Sequence, residues 1–194
     1  MDSATVLSLH QLTTSQPWFA SLVGIVANFG IFVLPLTLAV TWFRVGESLP
    51  GDSRRDAILV GVIAAAIAFG VGLVLERTLS RPRPFVELGF QPLFPHAADS
   101  SFPSDHTLVG GALVGPILVT ARKLGGVLVL WALVVGFSRV AAGIHYPSDV
   151  LGSAVVALVL DSIVWLISRP VVTRLNLQRW DARLIGIRPP APRS

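Results

Sequence analysis

Two groups of polar residues lie between long apolar runs of the chain, and their residue types suit chemistry on a phosphate group. Phosphoryl transfer needs donors for the equatorial phosphate oxygens, a nucleophile and an acid for the leaving oxygen. The two groups contain candidates for all three roles. They are Arg81, Arg83, Ser104, Asp105 and His106, then Ser138, Arg139, His145 and Asp149.

Arginine is suited to binding the phosphate, because its planar guanidinium donates pairs of hydrogen bonds and stays charged. We therefore expect Arg83 and Arg139 to bind the phosphate oxygens, with Arg81 as a further donor. Ser104 follows Pro103 and begins an apolar run, so we expect it to be the N-cap of a helix. The free backbone N–H groups at such a helix terminus also bind anions.

Histidine is suited to the other two roles, because its pKa lies near neutral pH. His145 and Asp149 are four residues apart, and Pro147 between them is a typical first helix residue. We expect Asp149 to lie in the first turn of the last apolar run and to bind His145 Nδ1. That contact would leave Nε2 free to attack phosphorus. His106 is then the candidate general acid.

A metal site is the competing chemistry, because six histidine and aspartate side chains of this region could ligate a cation. They are His96, Asp99, Asp105, His106, His145 and Asp149. The arginines between them would repel a cation, so the sequence favours a site with no metal and no other cofactor.

Four polar residues have weaker cases for a direct role. We expect His96 and Asp99 only to order the loop before Ser104, and His10 to lie on the surface. Asp161 lies well inside the last apolar run. Acidic residues in such runs are functional candidates, and a hydrogen bond to a neighbouring helix is an equal interpretation.

The composition is typical of a membrane protein, with 53% hydrophobic and 13% charged residues and no cysteine. Soluble domains carry about 25% charged residues. Five apolar runs are predicted to span the membrane, at 17–43, 57–79, 105–121, 124–140 and 150–168. Residues 1–16 lack the features of a signal peptide, and we expect an amphipathic segment at the membrane interface. The predicted fold class is an all-α, polytopic membrane bundle.

The basic residues indicate an orientation for this bundle. Eleven of the fifteen lie in the first and third connections and after the last span, which five spans place on one side. The positive-inside rule makes that side cytoplasmic and places both polar groups on the outer face. We expect a membrane domain at 1–170, with its motifs at 76–149, and a basic amphipathic cytoplasmic tail at 171–194. Such a tail binds anionic lipids rather than nucleic acid.

At these motifs the chain resembles the type-two phosphatidic acid phosphatase superfamily. Its motifs are Lys-x6-Arg-Pro, Pro-Ser-Gly-His and Ser-Arg-x5-His-x3-Asp. The third is complete here: Ser138, Arg139, His145 and Asp149. The second has aspartate in place of glycine: Pro103, Ser104, Asp105 and His106.

The first motif departs from the family pattern, because Glu76 stands at the lysine position before Arg83 and Pro84. A carboxylate there would repel phosphate. Arg77 or Arg81 would then supply the missing charge, or Glu76 would turn away and pair with an arginine.

The resemblance implies metal-independent hydrolysis through a phosphohistidine on His145, with His106 as the acid. It also implies that the motif residues bind the phosphate: Arg83, Ser104, Asp105, Ser138 and Arg139. We expect a lipid phosphate as the partner of this site.

The stretch from His96 to His106 resembles the bacitracin-resistance subgroup of this superfamily. Those enzymes face outward in the bacterial cytoplasmic membrane and recycle the lipid carrier of cell-wall synthesis. The expected reaction is hydrolysis of undecaprenyl or decaprenyl diphosphate to the monophosphate. The alternatives are a phosphatase acting on phosphatidylglycerol phosphate or phosphatidate, a lipid phosphotransferase, and a non-enzymatic lipid carrier.

Overall fold

The computed structural model describes residues 2–45 and 54–175, with side chains for 2–44 and 54–168. Helices account for most of this part of the chain. They are α1 (Asp2–Thr14), α2 (Pro17–Phe29), a 3-10 turn (Gly30–Phe32), α3 (Val33–Val45), α4 (Arg54–Leu79), α5 (Pro84–Glu87), α6 (Asp105–Thr120), α7 (Arg122–Ala141) and α8 (Pro147–Leu175). The predicted tail at 171–194 lies outside the described residues from 176 onward.

Four helical segments among these residues are long and apolar enough to cross a membrane. They are Pro17–Arg44, Arg54–Leu79, Arg122–Ala141 and Pro147–Ser168. Large apolar side chains cover their outer surfaces, and Phe43 and Leu151 are 77% and 68% exposed. Lipid is the solvent in which such a surface is stable. The prediction of an all-helical membrane protein is confirmed, and four of its five spans have the required length and hydropathy.

The remaining predicted span, at 105–121, corresponds to α6, which is apolar but short. Its 16 residues extend about 24 Å at 1.5 Å per residue, less than the roughly 30 Å of bilayer hydrocarbon. The helix begins directly after Ser104 and ends at Thr120, just before Ala121. It packs against α4, α7 and α8, and its core side chains include Leu108, Ala112 and Val114. Its neighbours therefore enclose α6 and hold its N-terminus within the bundle.

Small residues allow α6 to approach its neighbours closely, as in other helix pairs in membranes. A Cβ atom on Gly61 of α4 would lie 2.4 Å from the Leu113 carbonyl oxygen of α6. A Cβ atom on Gly125 of α7 would lie 2.3 Å from Leu118 Cα. Glycine is thus a packing requirement on both sides of α6.

The first span contains a change of helical pitch next to a proline. The 3-10 turn Gly30–Phe32 lies between α2 and α3, and Pro35 follows it in the first turn of α3. Pro35 has no N–H to donate to the carbonyl of Ile31, four residues earlier, and this loosens the helix at that point. The Trp131 indole of α7 donates to the Gly30 carbonyl at 2.8 Å and ties this turn to the bundle.

Helix α1 packs on one end of the bundle, against α2, α7 and α8. Its inward face buries Val6, His10 and Thr13, at i, i+4 and i+7 spacing. The expectation that His10 lies on the surface is therefore wrong. The His10 ring packs 4.6 Å from Phe90, and its Nδ1 lies 3.3 Å from the Ala141 carbonyl oxygen. Docking of α1 on the bundle buries this histidine.

Candidate active site

Three connecting segments meet at the end of the bundle where α1 lies. They are the loop after α4, the long loop before α6, and the turn between α7 and α8. Residues Pro82 and Ser100 pair across the first two segments. The short α7–α8 turn, residues 142–146, carries His145 between them.

His145 lies at the centre of this cluster and is 1% exposed. Its Nε2 atom lies 3.2 Å from Arg83 Nη1 and 3.2 Å from Arg139 Nη2. Its Nδ1 atom lies 2.7 Å from the Ser101 carbonyl oxygen. Because a carbonyl can only accept, Nδ1 carries the proton and Nε2 presents its lone pair to the two guanidinium groups.

The surroundings keep this imidazole neutral. Burial lowers the pKa of His145 well below its ordinary value, and the charges of Arg139 and Arg83 lower it further. A neutral Nε2 is the nucleophilic form of histidine. The arrangement therefore places an unprotonated nitrogen between two phosphate-binding groups.

Asp149 lies in the first turn of α8, as predicted, but its contacts differ from the expected ones. Its Oδ2 accepts the Tyr146 backbone N–H at 2.8 Å, and its Oδ1 accepts from Arg81 Nη1 at 2.6 Å. The distance from Oδ2 to His145 Nδ1 is 4.0 Å. The predicted hydrogen bond to His145 was wrong, because the Ser101 carbonyl occupies that position. Asp149 caps the start of α8 by accepting the Tyr146 N–H. Its negative charge faces the His145 ring.

The two arginines beside His145 are buried and anchored. Arg83 Nη1 donates to the Ile144 carbonyl at 3.0 Å. Arg139 Nη1 donates to the Ala27 carbonyl of α2 at 3.1 Å. These bonds fix the orientation of each guanidinium beside His145 Nε2.

His96 and Asp99 contact these arginines directly, which goes beyond the expected loop-ordering role. Asp99 Oδ1 accepts from Arg83 Nε at 2.6 Å, and its side chain is 43% exposed. Arg139 Nη2 lies 3.3 Å from His96 Nε2. Burial and the Arg83 charge lower the pKa of His96, so its neutral ring accepts from Arg139.

The second motif lies at the start of α6, with Ser104 in the predicted N-cap position. Its side chain does not cap the helix. Instead its hydroxyl accepts from Thr107 Oγ1 at 3.2 Å, and its N–H donates to Ser153 Oγ at 2.8 Å. Asp105 is exposed in the first turn of α6, where its negative charge interacts favourably with the helix dipole. His106 Nε2 is buried and has no hydrogen-bond partner within the described ranges.

Two of the residues predicted to bind phosphate are engaged elsewhere. The Ser138 hydroxyl donates to the Val135 carbonyl at 2.6 Å, within its own helix. The Arg81 guanidinium binds Asp149 at 2.6 Å and Asp2 of α1 at 3.1 Å. Both terminal nitrogens of the Arg81 guanidinium therefore donate to carboxylates.

Glu76 and Arg77, at the end of α4, line a cavity of about 530 Å³ beside this cluster. Arg81 and Asp99 lie in the same cavity wall. Across residues 2–44 and 54–168, the ion pairs in this region join Arg81 to Asp2 and Asp149, and Arg83 to Asp99. Glu76 is thus close to three other charged groups without contacting His145. The same residues contain no group of three histidine or acidic side chains arranged as metal ligands.

Three contributors to the cluster were absent from the sequence-based prediction. Ser101 acts through its backbone carbonyl, so its side chain carries no signal. Asp2 lies far from the motifs in the chain and reaches Arg81 only because α1 docks there. Tyr146 directly follows His145 and donates to Glu87 at 2.5 Å. A tyrosine next to a candidate nucleophile was the one available signal.

Known proteins resemble this chain in both sequence and helical fold. A family model described as the PAP2 superfamily matches residues 56–172. Undecaprenyl-diphosphatase BcrC of Bacillus subtilis is 36% identical over 172 residues, covering 85% of this chain and 84% of the relative. The putative undecaprenyl-diphosphatase YbjG of Escherichia coli is 35% identical over 157 residues, covering 78% and 76%.

A solved structure has the same fold. It is the transmembrane PAP2-type phosphatidylglycerolphosphate phosphatase from Bacillus subtilis, with a TM-score of 0.64 and 23% sequence identity. The match covers 88% of this chain and 85% of that one. The family match spans α4 to α8 and includes every residue around His145 except those from α1 and α2. The chain is a multi-pass membrane lipid phosphatase that belongs to the PAP2 superfamily.

Proposed function

We propose that this protein hydrolyses a polyprenyl diphosphate, of undecaprenyl or decaprenyl type, to the monophosphate and inorganic phosphate, with His145 as nucleophile. The observation that carries the proposal is the position of His145 Nε2, 3.2 Å from both Arg83 and Arg139. The choice of lipid rests on two relatives named as undecaprenyl-diphosphatases, each matched over more than three quarters of its length.

In the first step the terminal phosphate binds between the two arginines. Their N–H groups, which now point at His145 Nε2, donate to the phosphate oxygens. The Nε2 lone pair then forms a bond to phosphorus, and the bond from phosphorus to the bridging oxygen breaks. His106 donates a proton to that oxygen, and the lipid monophosphate leaves.

The ring of His145 becomes positively charged in this step. Its Nδ1–H remains bonded to the Ser101 carbonyl at 2.7 Å, which prevents the ring from turning. The Asp149 carboxylate, 4.0 Å from Nδ1, lowers the energy of that charge. Such preorganised groups act most strongly in a site that excludes water.

In the second step water attacks the phosphohistidine. His106, left neutral by the first step, removes a proton from the water. The new oxygen–phosphorus bond forms as the bond to Nε2 breaks, and inorganic phosphate is released. The buried Nε2 of His106 has no hydrogen-bond partner within the described ranges, so it is free to exchange a proton with the bridging oxygen and then with the water. Burial favours its neutral form, and the negative charge of the bound diphosphate favours the protonated form that the first step needs.

Substrate entry requires a change at two contacts. In this structure Asp99 accepts a hydrogen bond from Arg83, and His96 accepts one from Arg139. An incoming phosphate carries more negative charge than Asp99 and can bind both guanidinium groups at once, so it displaces the exposed carboxylate. Asp99 and His96 thus occupy the arginines until substrate arrives.

The helix directions support an outward-facing site in the bacterial cytoplasmic membrane. Arg122 and Lys123 begin α7, and Arg139 lies in its last turn, so the basic pair and the site are at opposite ends of this helix. The positive-inside rule then assigns Arg122 and Lys123 to the cytoplasm and His145 to the outer face. A phosphatase so placed recycles the lipid carrier released by cell-wall synthesis.

Phosphate release by purified protein in detergent tests the proposal. We expect wild type to release phosphate from a long-chain polyprenyl diphosphate in excess EDTA, and His145→Ala to release none above the background rate. Phosphatidylglycerol phosphate and phosphatidate at matched mole fraction complete the comparison. A higher kcat/KM for either of these lipids would overturn the choice of substrate. Equal release by wild type and His145→Ala would overturn the role of the nucleophile.

A further inference from the structure

Arg81 lies at the point where the supports of His145 meet. Its Nη1 donates to Asp149 Oδ1 at 2.6 Å and to Ser148 Oγ at 2.7 Å. Its Nη2 donates to Asp2 Oδ2 at 3.1 Å. One guanidinium therefore joins the start of α8 to the first residue of α1.

The backbone of Arg81 contacts the other support. Its carbonyl oxygen accepts the Ser101 N–H at 2.7 Å, and its N–H donates to Ser100 Oγ at 3.2 Å. Ser101 is the residue whose carbonyl binds His145 Nδ1. Arg81 is thus bonded to both residues that flank the nucleophile's ring, to Ser101 through its backbone N–H and to Asp149 through its carboxylate.

The residue after the nucleophile is held by the same side chain. The Arg81 guanidinium lies 4.1 Å from the centre of the Tyr146 ring, an attractive cation–π distance. Burial and the hydrogen bond to Glu87 raise the pKa of Tyr146, so its phenol stays protonated and donates to Glu87 at 2.5 Å. Two contacts therefore fix Tyr146, one from Arg81 to the face of its ring and one from its hydroxyl to Glu87.

Helix α1 completes this arrangement from outside. Asp2 accepts the Ser148 N–H at 3.3 Å and also the Ser148 hydroxyl. Val6, one turn later, packs with Tyr146 and Val140. The start of α1 therefore covers the α7–α8 turn that carries His145.

We propose that Arg81 and Asp2 are positioning residues for His145, and that α1 is a working part of the active site through them. This inference rests on the proposed reaction at His145. It replaces the expectation that Arg81 binds phosphate, because the Arg81 fork is already filled by two carboxylates. The charge of Arg81 also offsets the burial of Asp149, which is costly for an unpaired carboxylate.

Steady-state kinetics separate a positioning role from a binding role. We expect Asp2→Asn to lower kcat about 10-fold and Arg81→Gln about 100-fold, the range for residues that orient a reacting group. KM stays within roughly two-fold of wild type, since Arg83 and Arg139 still bind the phosphate. Arg81→Lys keeps the charge but cannot reach both carboxylates as a fork, so we expect it to recover only part of the loss.

A double variant tests whether Asp2 acts through Arg81. We expect Asp2→Asn to slow Arg81→Gln by clearly less than the roughly 10-fold that it costs in the wild-type background, because coupled residues are not additive. A small further loss remains, since Asp2 also bonds Ser148 directly. Ser8→Ala, on the exposed face of α1, is the matched control and retains wild-type kcat. A raised KM with unchanged kcat in Arg81→Gln, or fully additive losses, would overturn the inference.

Hydrogen exchange provides a readout that needs no turnover. We expect Asp2→Asn to speed amide exchange in the peptide that contains Tyr146 and Ser148, while Ser8→Ala leaves it unchanged. Unchanged exchange in Asp2→Asn would contradict the role of α1. If the proposed function itself is wrong, the wild-type protein will release no phosphate, whatever the exchange measurements show.

Discussion

His145 and Ser101 are joined by a 2.7 Å hydrogen bond from the imidazole Nδ1 to the backbone carbonyl oxygen. In many catalytic triads a carboxylate makes this contact. Here the carboxylate of Asp149 lies at 4.0 Å and accepts hydrogen bonds from Tyr146 and Arg81 instead. The tautomer of the nucleophile therefore depends on a peptide group, and Asp149 contributes charge and loop geometry.

This division of roles gives a prediction for Asp149→Asn. The amide oxygen of asparagine can still accept the Tyr146 N–H, and Ser101 still holds Nδ1, so the fold and the tautomer persist. The amide NH2 group then faces Arg81 and cannot accept its hydrogen bond. The charge facing the ring is lost, and we expect kcat to fall about 10- to 100-fold with little change in KM. Steady-state kinetics on the polyprenyl diphosphate measure both constants. A normal kcat would contradict the electrostatic role of Asp149.

Asp99→Asn is expected to strengthen binding of inorganic phosphate. The Asp99 carboxylate competes with phosphate for Arg83 at 2.6 Å, and removing its charge weakens that competition. Exposed ion pairs contribute little, so we expect the inhibition constant of phosphate to fall roughly two- to five-fold.

Asp99→Glu, which keeps a carboxylate, is the matched control and should bind phosphate much as wild type does. Product-inhibition curves for the three proteins give the comparison. Weaker phosphate binding by Asp99→Asn would show that Asp99 orients Arg83 for substrate instead of competing with it.

The pH dependence of kcat/KM follows from the lowered pKa of His145. Burial, Arg139 and Arg83 all disfavour the imidazolium form, so the reactive neutral ring persists as the pH falls through about 6.5, the ordinary histidine value. We expect the acid limb due to His145 to lie below that pH.

Removing one positive neighbour tests the cause of that shift. Arg83→Gln is expected to move the acid limb of the residual activity upward, because the protonated ring then meets less repulsion. Titration of the His145 ring by NMR in detergent is the direct measurement. A His145 pKa at or above its ordinary value in wild type would be inconsistent with this environment.

Helix packing gives a stability prediction with an internal control. Gly61→Ala puts a Cβ atom 2.4 Å from the Leu113 carbonyl oxygen, whereas a Cβ atom on Gly70 in the same helix meets nothing within 4 Å. We expect Gly61→Ala to destabilise the protein by about 1–3 kcal/mol and Gly70→Ala to have little effect. Thermal unfolding in one detergent compares the two. Equal melting temperatures would mean that α4 and α6 separate more easily than their contact suggests.

Much of the site could be predicted from residue type and chain order. Five apolar runs place the loop before His106 and the turn with His145 at one end of the bundle, and the chemistry of arginine indicated Arg83 and Arg139 as its phosphate donors. The structure places both beside His145. The helical spans followed from hydropathy alone, because a bilayer requires long apolar segments.

The remaining features depend on tertiary contacts that a linear pattern does not contain. Any residue can supply a backbone carbonyl, so Ser101 had no signature. Arg81 was predicted to help bind phosphate because arginine is the residue type suited to that role. Its guanidinium instead binds Asp2 and Asp149. His10 was placed on the surface because α1, considered alone, gives no sign of docking on the α7–α8 turn.

The most direct test of the proposed reaction is to detect a covalent phosphate on His145 during turnover. Wild-type protein is mixed with polyprenyl diphosphate labelled in its terminal phosphate, quenched in alkali within milliseconds, and digested for peptide mapping. We expect an acid-labile, alkali-stable label on the peptide containing His145, and none in His145→Ala. A label on a different residue, or turnover by wild type with no protein-bound label at any quench time, would contradict a phosphohistidine mechanism.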